Sequence, residues 1–327
     1  MMRPRILLVN LGTPTAPSRQ AVRVFLDEFL SDPAVVDVPR WLWLPILKGI
    51  VLNTRPSRVA RQYESIWTRD GSPLRAATER IARSLESRAD GRYTVGIAYR
   101  YGEPSLEAAL TEARNDTKGP VVVVPLFPQR TDATTGTMLR RARNVAARLG
   151  IENRLVERTI RANAPGYIAA LASRWDEAAA DAPMEPEHLV VSFHGIPVRY
   201  DIKERGVYVE DCRATMEALL EAIGWPAAHA SLAFQSRFGP EQWLTPATAD
   251  VLAELPRRGV RRIAVITPGF VTDGLETMEE IGIRGRETFT GSGGQYLLRV
   301  GAVENHPAFL DAIEELAVLR SPAPVAV

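Results

Sequence analysis

Short β-branched runs alternate with amphipathic stretches along the whole chain, and this alternation predicts most of its elements. Residues 5–10 read as a buried strand, stopped by the turn Leu11-Gly12-Thr13-Pro14. Val22, Phe25, Leu26, Phe29 and Leu30 then fall on one helical stripe within residues 20–30. Helices are predicted over 56–65, 76–85, 105–114 and 134–149, and strands over 93–101, 121–124 and 155–159, with a turn at Asp70-Gly71-Ser72-Pro73. The second half repeats the plan: strands over 188–193, 231–235, 262–267 and 296–300, helices over 209–222, 245–255, 275–283 and 307–319. Four strands alternating with helices, twice over, predict an α/β fold of two Rossmann-like domains, each with a four-stranded parallel sheet flanked by helices.

Short stretches echo one another. Ile6-Leu7-Leu8-Val9-Asn10-Leu11-Gly12-Thr13-Pro14 stands beside Leu189-Val190-Val191-Ser192-Phe193-His194-Gly195-Ile196-Pro197, and Pro125-Leu126-Phe127 closes its strand much as Pro268-Gly269-Phe270 does. The echoes place an N-terminal domain at residues 1–160 and a C-terminal domain at 161–327, with Asn163-Ala164-Pro165-Gly166 as the joint and the last helix packing back on the first domain. Only the tail over 321–327 is low in complexity.

Charge and composition narrow the partners. With 40 Lys and Arg against 39 Asp and Glu, the net charge of +1 encodes no general attraction to a polyanion, so nucleic acid is not expected as a partner. The one cysteine, Cys212, cannot form an intrachain disulfide or a thiolate metal site and fits a reducing compartment. Residues 6–9 are too short an apolar run for a signal peptide, so a cytoplasmic location is expected. The most apolar window, 41–52, is broken by Pro45 and Lys48 and falls short of the ~20 residues a spanning helix needs. Trp41 and Trp43 beside Arg40, with Lys48 and Arg55 nearby, make it either a lip resting on a bilayer surface or a lid packed on a soluble core.

In open parallel sheets, ligands bind beyond the carboxyl ends of the strands. The residues predicted there are Leu11 and Gly12, Arg100 and Tyr101, Phe127 to Arg130, His194, Ser236 to Phe238, and Phe270 to Glu276. No glycine-rich phosphate loop is present. Aromatic and aliphatic groups dominate, with arginines at the margin, which suits a flat apolar ligand with carboxylates at its edge. His194 ends an apolar strand at a glycine, and the acidic stretch Asp273, Glu276 and Glu280 lies opposite. Each has a plain structural reading: a strand-end histidine bonds to backbone, Asp273 with Glu276 has capping-box spacing, and Glu280 with Arg284 has the spacing of an i,i+4 ion pair. Together, an imidazole and carboxylates can take up protons or hold a borderline cation such as iron and let it go again.

These residues resemble the ferrochelatases, which insert ferrous iron into a porphyrin, and the wording Ser192-Phe193-His194-Gly195-Ile196-Pro197 is similar to the proteobacterial branch. The resemblance runs through Val9-Asn10-Leu11-Gly12-Thr13-Pro14, Gln62-Tyr63, Gly71-Ser72-Pro73-Leu74, Tyr99-Arg100-Tyr101, Pro125-Leu126-Phe127-Pro128-Gln129 and Thr134-Thr135-Gly136. It continues in Phe234-Gln235-Ser236-Arg237-Phe238-Gly239-Pro240, Trp243-Leu244 and Pro268-Gly269-Phe270-Val271-Thr272-Asp273-Gly274-Leu275-Glu276-Thr277. It implies a chelatase-type fold. His194 and Glu276 would be the paired catalytic and iron-contacting residues, and Asp273 and Glu280 an acidic relay. Leu11, Tyr63, Arg100, Phe127, Trp243 and Phe270 would bind porphyrin, and residues 41–55 would form an apolar lip touching the inner membrane.

Two departures carry meaning. Gly274 stands where many members have a histidine, removing any relay through that position, and a lone Cys212 leaves no ligands for the 2Fe–2S cluster of some members. The implied reaction joins Fe2+ to protoporphyrin IX with loss of two protons, the last step of haem synthesis, with iron as substrate and no permanently bound cofactor. Two rivals remain at this stage: a chelatase of coproporphyrin III or of a cobalt-accepting ring, and a non-catalytic haem or porphyrin carrier.

Overall fold

The computed structural model describes residues 3–318, so Leu319, the predicted end of the last helix, and the tail over 321–327 lie outside the described residues. Eight strands form two all-parallel sheets. The first contains β1 (Arg5–Asn10), β2 (Thr94–Tyr99), β3 (Val121–Pro125) and β4 (Leu155–Glu157) in the order β2-β1-β3-β4. The second contains β5 (His188–His194), β6 (Ala230–Gln235), β7 (Arg262–Ile266) and β8 (Tyr296–Arg299) in the order β6-β5-β7-β8. The order is the same in both, and the echoing motifs fall on equivalent strands, β1 with β5 and β3 with β7.

Sheets covered on both faces demand strands that are apolar throughout, which is why β1 and β3 are buried at every position. Arg5 is tolerated in β1 because Glu112 and Asp116 accept from its guanidinium at 2.6 and 2.8 Å. The first half carries helices α1 (Arg19–Leu30), α2 (Arg40–Ile46), α3 (Leu52–Glu64), α4 (Pro73–Arg88), α5 (Leu106–Asp116) and α6 (Thr137–Leu149). The second carries α7 (Pro165–Ala180), α8 (Val198–Lys203), α9 (Val207–Ala222), α10 (Thr248–Glu254), α11 (Arg286–Gly291) and α12 (Pro307–Val318).

Two stretches depart from expectation. Pro165-Gly166, part of the stretch read as a joint, opens a helix, α7, that the pattern did not predict: proline suits the first helical position because its missing N–H has no partner there anyway. Gly166 is needed for packing, since a Cβ there would lie 2.6 Å from the carbonyl oxygen of Ala308 on α12. The apolar window is not an isolated segment. A π-helical turn, Leu47–Val51, joins α2 to α3 through Pro45 and Pro56, and Asn53 and Thr54 donate to the carbonyls of Gly49 and Ile50 at 2.9 Å. Among the described residues, no helix is long and apolar enough to cross a membrane.

One apolar core runs through both halves, bringing Ile6, Leu8 and Tyr93 together with Val191, Phe193, Ile266 and Phe309. Helix α12 lies against α4 through Arg88–Asp311 at 2.9 Å and Arg92–Glu314 at 2.6 Å. Asn10, at the end of β1, donates to Thr272 beyond β7 at 3.3 Å. The carboxyl ends of the two sheets therefore come together.

Candidate active site

His194 is the last residue of β5, in register with Gln235 at the end of β6. The following glycine is dictated by crowding: a Cβ on Gly195 would lie 2.8 Å from the Gln235 carbonyl oxygen and 3.2 Å from the Trp243 ring. The ring Nδ1 of His194 is 2.6 Å from the carbonyl oxygen of Gly195. A carbonyl only accepts, so a proton sits on Nδ1, and in the neutral ring Nε2 would be the basic nitrogen. Tyr208 donates to the His194 carbonyl at 2.5 Å, and the Phe270 ring stands 6.2 Å from the imidazole.

The acidic stretch forms a π-helical segment, Leu275–Gly285, and its wider turn changes the expected pairings. In a π-helix the neighbour along the axis is five residues on, not four. Arg284 accordingly pairs with Glu279 at 2.8 to 3.0 Å, not with Glu280. Glu280 instead receives the backbone N–H of Ser236 at 2.7 Å and its hydroxyl at 2.6 Å. The capping role read into Glu276 belongs to Thr277, whose hydroxyl accepts from the Gly274 N–H at 3.0 Å and donates to Asp273 at 2.7 Å. Asp273 also takes a 2.8 Å bond from Arg299.

The Glu276 carboxylate stands beside Gly274, where a Cβ would lie 3.5 Å from its Oε2. Burial pushes its pKa up, His194 pulls it back, and Glu280 and Glu279 add repulsion that raises it again. His194 is thus close enough for its charge to act on Glu276. Among the described residues, no three His, Cys, Asp or Glu side chains gather as a metal cage.

The residues expected to bind porphyrin are spread over several elements. Leu11, after β1, packs on clusters belonging to both the sheet and the α1–α3 layer. Tyr63 of α3 is buried in that second layer, against which Leu275 and Met278 of the acidic segment also pack. Burial, with Glu276 nearby, pushes the Tyr63 phenol far above its ordinary range. Phe127 packs beyond β3, and Trp243 lies over Gly195 with its indole N–H buried and without a partner among the described residues.

Arg100 is engaged elsewhere. It pairs with Asp32, to which Tyr101 and Thr137 also donate at 2.8 and 3.0 Å. Burial alone would raise the Asp32 pKa, but the Ala34 N–H, Tyr101, Arg100 and Thr137 together hold it below the usual carboxylate range. Arg55 of α3 makes no ion pair among the described residues; its guanidinium lies 4.3 Å over the Phe238 ring and its Nε is buried without an acceptor among them. Sequence reasoning noted Arg55 only as a charge near the lip, and it missed Asp32, Gln235 and Ser236 as partners of site residues. A buried carboxylate partner leaves no local spacing to read.

A ferrochelatase family model matches residues 4–320. The chain belongs to the ferrochelatase family. It is 43% identical to the ferrochelatase of Pectobacterium atrosepticum over 314 residues, covering 95% of this chain and 96% of that one. It is 41% identical to the ferrochelatase of Bordetella pertussis over 319 residues, covering 96% and 87%. Among solved structures, a sirohydrochlorin chelatase from Bacillus subtilis subspecies spizizenii in complex with cobalt superposes with a TM-score of 0.56, at 14% identity, over 97% of this chain and 94% of that one. That likeness speaks for the chelatase fold alone. In this chain His194 ends β5 and Glu276 lies on the π segment that follows β7.

Proposed function

We propose that this member of the ferrochelatase family inserts Fe2+ into protoporphyrin IX, releasing two protons and giving protohaem. The observation that carries the residue-level reading is the His194 bond: Nδ1 is tied to the Gly195 carbonyl at 2.6 Å, so in the neutral ring Nε2 is the nitrogen that takes up a proton. Metallation removes two pyrrole protons from nitrogens in a flat ring, and a neutral imidazole is suited to receive them near pH 7. Glu276, held on the opposite wall with its proton affinity raised by burial, accepts the second proton or meets the iron. Asp273 and Glu280 lie along the same segment and pass protons or cations between that wall and solvent.

The walls bind the macrocycle. Leu11, Tyr63, Phe127, Trp243 and Phe270 supply apolar surface, and walls of fixed shape favour a ring bent toward the metallated geometry. Arg55 meets a carboxylate at the ring's edge. Arg100, spent on Asp32, supports the α1 wall and contributes through position. The divisions 1–160 and 161–327 act as the two jaws, residues 41–55 rest on the cytoplasmic face of the inner membrane, and iron enters as substrate with neither a 2Fe–2S cluster nor nucleic acid involved.

An anaerobic assay of protoporphyrin IX with ferrous iron tests this reading, with coproporphyrin III and a sirohydrochlorin-type ring plus cobalt run in parallel. Fastest turnover on protoporphyrin IX supports it. Faster turnover on either alternative ring reassigns the substrate, and tight haem binding without metal insertion makes the protein a carrier.

A further inference from the structure

At the end of β6, two consecutive residues, Gln235 and Ser236, reach toward the two groups on which the proposed reaction rests. Gln235 is 2% exposed, and both ends of its side chain are committed. Its Oε1 accepts from Ser192 at 2.8 Å, and its Nε2 donates to the backbone carbonyl of Glu276 at 2.8 Å. Its own carbonyl accepts from the Gly195 N–H at 2.7 Å, so a single residue bonds to the His194–Gly195 peptide on one side and to Glu276 on the other. Ser192 is fixed in turn, since its hydroxyl also lies 2.7 Å from that of Thr248.

Ser236 adds a second point. Its φ of +65° is left-handed backbone, which a residue with a Cβ adopts at a cost of about 1 kcal/mol or more unless surrounding bonds over-determine it. Those bonds are the N–H and the hydroxyl, at 2.7 and 2.6 Å, each aimed at a different oxygen of Glu280. A residue needed only to turn the chain at this φ would be better filled by glycine. The hydroxyl is what glycine lacks.

We infer that Gln235 and Ser236 are positioning residues: together they clamp the acidic π segment to the end of β5, fixing where Glu276 and Glu280 stand relative to His194. The inference rests on the proposed role of that pair. Positioning matters because bond-making groups displaced by about an ångström lose much of their advantage, and a π segment, with bonds spaced five residues apart, has fewer constraints of its own at its ends. Two anchors, four residues apart on one side of the segment, supply them. The side-chain bonds of both residues go to Ser192, Glu276 and Glu280, so the clamp acts on the metal and proton side of the reaction.

The test is steady-state iron insertion by the full chain, comparing wild type with Ser236→Gly, Ser236→Ala and Gln235→Met, alongside thermal unfolding and titration of porphyrin binding by fluorescence. Losing a hydrogen bond to a charged group should raise the KM for Fe2+ about tenfold in both Ser236 variants. Porphyrin affinity should stay within about twofold, since no wall contact is removed. Ser236→Gly relieves the left-handed strain, so it should be no less stable than wild type while still showing the metal defect. In a Glu280→Gln background the Ser236 effect should vanish, because the two act as one unit. An unchanged KM for Fe2+ in Ser236→Gly and Gln235→Met, or a loss that tracks the fall in stability and strikes porphyrin binding equally, would overturn the clamp. Failure of the wild-type chain to metallate any ring would overturn the underlying reading instead.

Discussion

The Nδ1 of His194 lies 2.6 Å from the carbonyl oxygen of the very next residue, Gly195. This short-range bond sets the tautomer that leaves Nε2 basic, and it needs no other side chain. Replacing His194 with alanine should therefore lower iron insertion by at least about 100-fold, within the range for loss of a general base. The core beneath it is unaltered, so unfolding temperature and porphyrin affinity should change little. Turnover near the wild-type value would remove His194 from the chemistry.

Glu276 makes a stability prediction with a definite sign. Its folded-state pKa is raised, first by burial. A carboxyl of this kind favours the fold fully at pH below its unfolded value of about 4.3 and loses that contribution as pH rises through the raised folded value. Glu276→Gln removes the charge that the fold resists. The variant should unfold at a higher temperature than wild type at pH 8, and the gap should close toward pH 4, while iron insertion falls. A variant less stable than wild type at pH 8 would show that the carboxylate is held by favourable contacts.

Much of this was legible along the chain. The strands were, because all-parallel sheets buried on both faces need unbroken apolar runs such as Ile6 to Val9 and Leu189 to Phe193, and those stand out against any flanking turn. Helix α7 was not, because Pro165-Gly166 has the composition of a loop, while its reasons for being there are a first-turn proline and the backbone of α12. His194 and Glu276 were visible as residue types at strand ends. The partners of the acidic residues were hidden, since reading Glu280 with Arg284 assumes an ordinary α-helical turn, and in the π segment Arg284 reaches Glu279. That slip of one residue is what frees Glu280 for Ser236.

Arg100 and Asp32 form a pair whose side chains are 17% and 9% exposed. Breaking such a pair from one side strands a buried charge, so Arg100→Leu should cost about 3 kcal/mol in chemical denaturation at neutral pH. Because the Asp32 pKa is depressed in the fold, its contribution is present above its unfolded value and disappears as pH falls through the folded value. The difference between variant and wild type should accordingly shrink on acidification. Adding Asp32→Asn should recover part of the stability. A variant of full stability with a large rise in porphyrin KM would assign Arg100 to the ligand directly.

Gly12 offers a test of the cleft floor. It sits just after β1 with a φ of +110°, and a Cβ there would lie 1.8 Å from the Tyr101 carbonyl oxygen. No rotamer relieves a backbone clash. Gly12→Ala should destabilise by about 2 kcal/mol or more and displace Leu11, so that porphyrin binding weakens together with stability. An alanine variant that unfolds and binds as wild type does would mean the β1 turn shifts freely.

The lip makes the last prediction. Trp41 and Ile50 are 79% and 61% exposed, whereas Trp43 is tied down by a 2.7 Å bond from its indole N–H to the Leu30 carbonyl. Lys48, which looked available for anionic headgroups, is paired with Asp27 at 2.6 Å. Surface contact should therefore depend on apolar insertion more than on charge. Each large side chain buried in lipid gains roughly 1.5 to 3 kcal/mol, so Trp41→Ser with Ile50→Ser should lower partitioning onto phospholipid vesicles by well over tenfold. Raising the salt from 0.1 to about 0.5 M should weaken wild-type binding only slightly, where an electrostatic anchor would be screened. Insertion of iron into detergent-dispersed porphyrin should persist in the double variant, because neither side chain belongs to the His194 and Glu276 walls. Unchanged vesicle binding in the double variant, or binding abolished by salt alone, would remove the lip from any role at a membrane.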